Sequence, residues 1–293
     1  MDIEHIANIY RDCGFKLKKI DDAIFMASGW INYSFPAVID LKLNKNIEKS
    51  LKWKYLITVI KTHLPQKNSY EFVLKTDNYS IDKFASKKRN DIRKSLRDCT
   101  FKRPSLDDLF QFGLKMNQQT LAKQGRSDKH LVDDQSWRKY ITTFYEQENI
   151  FILGAYIAER MVGYITVCKI NGNYYITDPF YDFDTAASSP IQGLIFTLVN
   201  QIIEREGRIT IFYGIESFKP LPQLNRYKSS MHFERIPTTR AYIIHPLVLP
   251  ILKFVYFFYS KILRGKKTKN PLIQQIVQLL RGNKILNTAI NQN

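Results

Sequence analysis

The sequence is poor in the residues that build metal centres and disulfide frameworks. Its three cysteines, Cys13, Cys99 and Cys168, stand far apart without ligand spacing, and an odd number leaves at least one unpaired. Five histidines form no ligand pattern either. These absences argue against a metal module or a disulfide-stapled secreted domain, and the expected compartment is the reduced cytosol. The first ten residues, M-D-I-E-H-I-A-N-I-Y, lack the basic start and apolar run of a signal peptide. The one long apolar run, residues 246–263, is interrupted by Pro250, Lys253 and Lys261. It falls short of the ~20 apolar residues of a spanning helix. No short-period repeat, low-complexity linker or recognised nucleic-acid motif is present.

What the chain does have is a core and a charge. Hydrophobic residues make up 44% and aromatic residues 13% of its 293 positions, enough for one large domain or two modest ones. The formal net charge is +17. That excess predicts an anionic partner: nucleic acid, a phosphorylated carrier or substrate, or an acidic membrane face.

Along the chain, residues 35–43 and 70–76 read as strands, and Ser80 precedes a helical stretch. Residues 105–125 and 134–147 read as helices, the first opened by a capping box of Ser105 and Asp108. Residues 151–158 and 161–170 form a hairpin, and N-G-N at 171–173 turns the chain into a third strand, 174–181, because Asn and Gly accept positive φ. Ser189 as N-cap, Pro190 at the first helical position and Gly207 as a stop predict a helix between them. A buried strand at 208–215, a short helix and a last strand at 238–245 follow. Three antiparallel strands, then helix, strand, helix, strand, make a mixed α/β fold.

This order resembles the GNAT acyltransferase superfamily, and within it the FemAB-like branch of peptidoglycan-bridge aminoacyltransferases. Four pieces carry the likeness: K-K-R-N-D-I-R-K-S-L, the hairpin A-Y-I-A-E-R-M-V-G-Y, S-S-P-I-Q-G-L, and F-Y-G-I-E-S followed by L-N-R-Y-K-S-S-M-H-F. Together they span about residues 70–245. The resemblance implies a central, mostly antiparallel sheet flanked by helices. It also implies a degenerate GNAT-like half at 1–100, a catalytic half at 101–245 and an apolar, basic extension at 246–293. Two departures stand out. Only Gln192 and Gly193 remain of the glycine-rich pyrophosphate loop, and His232 replaces the glycine expected before Phe233.

The activity implied is N-acyl transfer from acyl-CoA or aminoacyl-tRNA to an amine of an anionic or lipid-linked, cell-envelope-type acceptor. The alternative is a non-catalytic protein that binds nucleic acid or a membrane surface on a degenerate GNAT scaffold. In such folds the carrier lies where two central strands splay apart. Ser188, Ser189, Gln192 and Gly193 are the carrier-site candidates, at a helix start whose dipole suits phosphate; the same segment also reads as an ordinary capped amphipathic helix. Tyr227 and Lys228 match the family's aromatic–Lys pair, the tyrosine to return a proton to the leaving group and the lysine to hold negative charge. They also read as a half-buried core residue and a surface charge. Asp178, Asp182 and Glu216 are candidate bases, or turn-forming acids.

The stretch S-K-K-R-N-D-I-R-K-S-L-R-D, residues 86–98, places Ile92, Leu96 and Cys99 on one helical face and Arg89, Arg93 and Arg97 along its flank. Arg89 and Arg93 match the family's arginine pattern and are expected to hold an anionic substrate; the other reading is a solvated charged face. Residues 246–263 read as a helix completing the core or an oligomer contact, as a segment lying on a membrane, or as a span. The basic cluster 264–269 beside them favours the membrane surface.

Overall fold

A computed structural model describes residues 2–42, 44–218, 221–262 and 270–292. The basic cluster at 264–269 lies outside the described residues. In chain order the elements begin with α1 (Ile3–Asp12), β1 (Lys16–Ile20), β2 (Ala23–Ser28), β3 (Ile31–Phe35), α2 (Lys45–Lys52), β4 (Ile57–Thr62), β5 (Ser69–Thr76) and α3 (Ser86–Asp98). Next come β6 (Thr100–Lys102), α4 (Leu106–Asp108), α5 (Leu114–Gln124), α6 (Lys129–Val132), α7 (Asp134–Tyr145), β7 (Ile150–Ile157), β8 (Arg160–Ile170) and β9 (Asn173–Tyr181). The chain closes with α8 (Pro190–Glu206), β10 (Ile209–Ile215), α9 (Pro222–Ser230), β11 (Glu234–Ile244), α10 (Val248–Ile262) and α11 (Pro271–Gln292). The architecture is mixed α/β, mostly antiparallel, as expected.

The chain forms two compact units that interleave in sequence. The first comprises Met1–Gly14, Val73–Gly214 and Arg226–Glu234; the second comprises Phe15–Phe72, Ile215–Asn225 and Arg235–Asn293. In the first unit β6, β7, β8 and β9 form an antiparallel meander and β10 lies parallel to β9. Asn171 and Gly172 take φ values of 48° and 77°, the positive-φ pair that a two-residue hairpin turn needs. Consecutive residues of β8 face opposite sides of the sheet. On one side, a Cβ at Gly163 would touch Leu194 of α8. On the other, the Tyr164 hydroxyl donates to Asn117 of α5 at 2.5 Å and its ring lies against Trp137 of α7. The meander is thus sandwiched between α8 and the α5–α7 layer.

In the second unit β1, β2 and β3 are antiparallel, β3 and β4 parallel, and β4 and β11 antiparallel. Phe25, Ile60, Ala241 and Ile243 of that sheet are buried with Ile47 and Leu51 of α2 and Leu286 of α11. Tyr242 and Ile244, on the other face of β11, pack with Leu279 of α11 and with Val248, Leu249 and Leu252.

Two sequence expectations are corrected here. The strand expected at 35–43 does not form among the described residues past Phe35, where β3 ends, because Pro36 lacks the N–H a ladder needs and its carbonyl accepts from Ile39 in a turn. On α3 the inward face is Ile92, Ser95 and Cys99, whereas Leu96 is 40% exposed. Serine takes the inner position because α8 approaches closely. A Cβ on Gly193 would overlap the Ser95 hydroxyl and the Phe101 ring, and would stand 2.9 Å from Ser95 Cβ.

Candidate active site

Strands β9 and β10 pair at only two positions, Tyr174 with Ile211 and Tyr175 with Phe212. Beyond them β9 continues to Tyr181 and β10 to Ile215 with no further register between the two strands. Both carry the irregularity that such a parting needs. Gly214 has φ 73°, a left-handed conformation that glycine adopts without a Cβ clash, two residues past the last pair. The β8–β9 register shifts between Thr166 and Val167, so Thr177 has no partner residue there. Backbone groups facing across such a gap are free to bond an extended ligand, as an exposed strand edge does.

Two side chains of α9 stand at this parting. The Lys228 ammonium, buried, donates to the Tyr213 carbonyl at 2.6 Å and lies 4.7 Å from the Tyr213 ring centre. Burial, reinforced by the positive charge of Arg126, lowers its pKa to about 8. The Tyr227 hydroxyl is buried and finds no hydrogen-bond partner among the described residues. Burial raises its pKa well above the ordinary value, with further upward pushes from Tyr213, Tyr79, Tyr181 and Asp91. These neighbours come from β10, the link between β5 and α3, the end of β9 and α3. Lys88 of α3 sits 5.1 Å from the Tyr227 ring centre and is also paired with Asp91 at 3.5 Å.

Asp178 is buried on the α5–α7 side of β9, opposite Thr166 in register. The Tyr140 hydroxyl donates to its Oδ2 at 2.6 Å. Burial pushes its pKa up to about 6, against the opposing effects of hydrogen bonds from Tyr140 and Thr177 and of the charge on Arg126. Arg126, exposed just past α5, is therefore felt by both Asp178 and Lys228. Asp182 is a different kind of acid: 2% exposed, it is held by Arg160 at 2.5 Å and caps a short helix through the N–H of Asp184.

No family model matches this chain, and no curated protein sequence does. Solved structures do. FemX superposes with a TM-score of 0.54 at 9% identity, covering 83% of this chain and 92% of FemX. The C-terminal domain of a putative lysylphosphatidylglycerol synthetase from Agrobacterium fabrum gives 0.52 at 10% identity, covering 80% and 85%. L-PGS from Bacillus licheniformis gives 0.50 at 13% identity, covering 82% and 86%. The fold is FemX-like.

In this FemX-like fold the residues expected from the sequence to hold a carrier lie at the start of α8. Ser188 and Ser189 are half-buried, and Ser189 takes φ 54° and makes no side-chain cap. The Gln192 N–H bonds back to the Ser189 carbonyl at 3.0 Å. Gly193 points away from this end towards Ser95 and Phe101, so its missing Cβ serves helix packing. The two arginines differ. The Arg89 Nε is buried with no hydrogen-bond partner among the described residues, whereas Arg93 is 57% exposed and 3.8 Å from Asp82. Glu216 belongs to the second unit, where its carboxylate accepts from Asn225 at 3.2 Å and its carbonyl from Arg240. His232 occupies a φ of 62°, which explains the glycine expected there; its ring packs edge-on against Phe84, 4.5 Å between centres.

Sequence reasoning missed Tyr140, Lys88, Arg126 and Gly214. An isolated glycine within a strand pattern is a recognised sign of a bend, so F-Y-G-I carried the signal for Gly214. Tyr140 stands 38 residues from the acid it holds, and no local pattern joins them. The three cysteines form no disulfide and are buried. Among the described residues no cluster of three His, Cys, Asp or Glu is arranged to hold a metal.

Proposed function

We propose that this FemX-like chain transfers an acyl or aminoacyl group from an activated ester or thioester to an amine. The observation that carries the reading is the parting of β9 from β10 after two paired residues, with a buried lysine and a tyrosine hydroxyl unpartnered among the described residues at the gap. An acyl carrier laid in that gap takes backbone hydrogen bonds from the strand edges. The amine nitrogen attacks the acyl carbonyl carbon, and the new C–N bond forms as the carbonyl oxygen takes on negative charge. Collapse of that intermediate breaks the bond to the leaving sulfur or oxygen. The proton lost by the amine goes to Asp178, directly or through a water, and Tyr227 supplies one to the leaving atom. Lys228 and its neighbour Lys88 hold positive charge beside the developing oxyanion. Asp178 suits the base because a carboxylate of pKa about 6 is ionised at neutral pH yet more basic than an ordinary one.

Between the two donors the reading favours the aminoacyl ester. A thiol of the cysteine type has a pKa of about 8.5. A tyrosine pushed well above 10 is a poor acid towards its thiolate, but can protonate a far more basic ribose oxygen. Acyl-CoA would also need phosphate contacts at the start of α8. Ser188, Ser189 and Gln192 are available there, but Gly193 is taken up by α3. The net charge of +17 and the buried Nε of Arg89 suit an anionic acceptor, lipid-linked or small, and suit tRNA equally. We read residues 1–100 as the degenerate partner of the 101–245 half.

The test is a single-turnover assay of the purified chain with charged tRNA in one arm and acetyl-CoA in the other, against a panel of amine-bearing anionic acceptors. The reading expects deacylated tRNA and a new amide. Free thiol instead would assign the donor to CoA, and consumption of neither donor would remove the enzyme.

A further inference from the structure

The second unit carries a surface that the reaction does not use. The inward face of α10 is seated by Val248, Leu249 and Leu252. Its outward stripe, Ile251, Phe254, Val255 and Phe258, follows helical spacing and, with Leu247 just before the helix, is 36–70% exposed. Phe257 beside it is 52% exposed. The patch continues through backbone bonds: the Leu249 N–H donates to His245 O, the His245 N–H to Leu56 O, and the Leu56 N–H to Trp30 O. Trp30 is 75% exposed, and Trp53, edge-on to His245, is 63% exposed. Large apolar groups gathered like this on one face mark an interaction site.

The charge around the patch is predominantly positive. Lys49 and Lys52 line a shallow groove with Trp53 and Pro246, the one acid there being Glu48, already paired with Lys52. Lys18 and Lys54 crowd each other nearby on the same unit. Lys253 and Lys261 flank the aromatic stripe, Lys261 lying 4.6 Å from the Phe257 ring centre. From Arg235 to the end the sequence holds ten Lys and Arg (235, 240, 253, 261, 264, 266, 267, 269, 281 and 284) and no Asp or Glu.

We infer that this face docks on an anionic phospholipid bilayer, with α10 lying in the interface and Trp30 and Trp53 seated at headgroup level. Two copies of the face would bring lysines against lysines. A nucleic acid would leave Ile251, Phe254 and Phe258 in water. A bilayer takes up both the aromatics and the lysines, since Trp settles at the interface and each Lys beside an anionic leaflet strengthens binding about fivefold. The helix is interfacial, because no described helix is long and apolar enough to cross a membrane. Docking does not depend on the transferase reading, though it would bring a lipid-linked acceptor to the enzyme.

The experiment is co-sedimentation of the full chain with vesicles of phosphatidylglycerol and phosphatidylcholine, and with vesicles of phosphatidylcholine alone. Expected is binding to the anionic vesicles, weakened at least about tenfold on the neutral ones and by added salt. Brominated lipid should quench Trp30 and Trp53 and spare the buried Trp137. Phe254→Glu with Phe258→Glu should abolish sedimentation at an unchanged thermal midpoint, since both side chains are exposed. No binding to either vesicle, undiminished binding of the double variant, or a concentration-dependent dimer that this variant dissolves while vesicles stay unbound would each overturn the assignment. Vesicle binding is read without turnover, so an inactive enzyme that still binds leaves docking intact.

Discussion

Tyr140 of α7 donates its hydroxyl proton to Oδ2 of Asp178 across 2.6 Å, on the side of the sheet away from α8. The contact fixes a carboxylate that burial makes costly to ionise, and it partly offsets that burial. The folded pKa of about 6 exceeds the unfolded value of about 3.9. The folded state therefore binds the proton more tightly. The contribution of Asp178 to stability is greatest below about pH 4, falls as pH rises to about 6, and stays lower by about 2–3 kcal/mol above that. Asp178→Asn removes the charge, so denaturant unfolding at pH 8 should show it more stable than the parent, with the gap closing towards pH 4. Transfer activity should nevertheless fall by about a hundredfold or more, as loss of a general base does. A destabilised, inactive variant would return Asp178 to the core.

The pH–rate profile follows from two groups. Asp178 must be ionised to accept a proton, so kcat/KM should rise through about pH 6. Lys228 must be charged to hold an oxyanion, so activity should fall through about pH 8. Its lowered folded pKa also means that stability rises with pH between about 8 and 10.4, as the unfolded chain keeps the proton the folded one has lost. Lys228→Arg, charged at every accessible pH, should remove the alkaline limb and leave the acid one. A single-limbed profile in the parent would exclude one of the two groups.

The element order was legible in the sequence because its signals are local. Asn171–Gly172, the Ser105–Asp108 box and Pro190 with Gly207 all act within one turn or one hairpin, and each stands where expected. The parting of β9 and β10 was legible only through the family resemblance and Gly214. Other parts of the site depend on what faces what in space. Leu96 had the right spacing to be inward, but the close approach of α8 reserved that position for Ser95. The arginine stripe had one periodicity and three fates, since Arg89 turns inward while Arg93 and Arg97 pair with Asp82 and Asp98. Periodicity names a face of a helix, and packing decides how much of that face is solvent.

That divergence separates Arg89 from Arg93 experimentally. A buried guanidinium nitrogen without a partner among the described residues loses its hydration and gains nothing until an anion arrives. Arg89→Met should raise the KM for an anionic substrate by about 10- to 100-fold, equivalent to about 1.4–2.8 kcal/mol. Arg93→Gln removes an exposed pair with Asp82 and should leave steady-state kinetics and the thermal midpoint nearly unchanged. Equal effects of the two replacements would show that the helix acts as a diffuse positive surface.

Tyr227→Phe tests the proton donor. The hydroxyl is buried and unpartnered among the described residues, so its removal relieves a desolvated polar group and should leave the fold as stable or about 1 kcal/mol more so. The rate should respond in the opposite sense, falling in kcat with little change in KM. The fall should be larger with an ester donor than with a thioester, whose thiolate leaves without help. A uniform loss with both donors would assign Tyr227 to positioning the carrier.

Gly193 offers the sharpest separation of packing from binding, because both readings need a glycine there for different reasons. As a phosphate-loop residue it would tolerate alanine at the cost of carrier affinity. As a packing residue it cannot, since the added methyl would enter the space of the Ser95 hydroxyl and the Phe101 ring. Overpacking of this kind costs about 1–3 kcal/mol. Gly193→Ala should therefore lower the unfolding free energy by that amount, and Ser95→Gly added to it should restore part of the loss by vacating the nearer obstruction. The two positions should couple in a double-mutant cycle measured by urea denaturation, with no carrier present. An additive cycle at full stability, with carrier binding alone impaired, would return Gly193 to the carrier site.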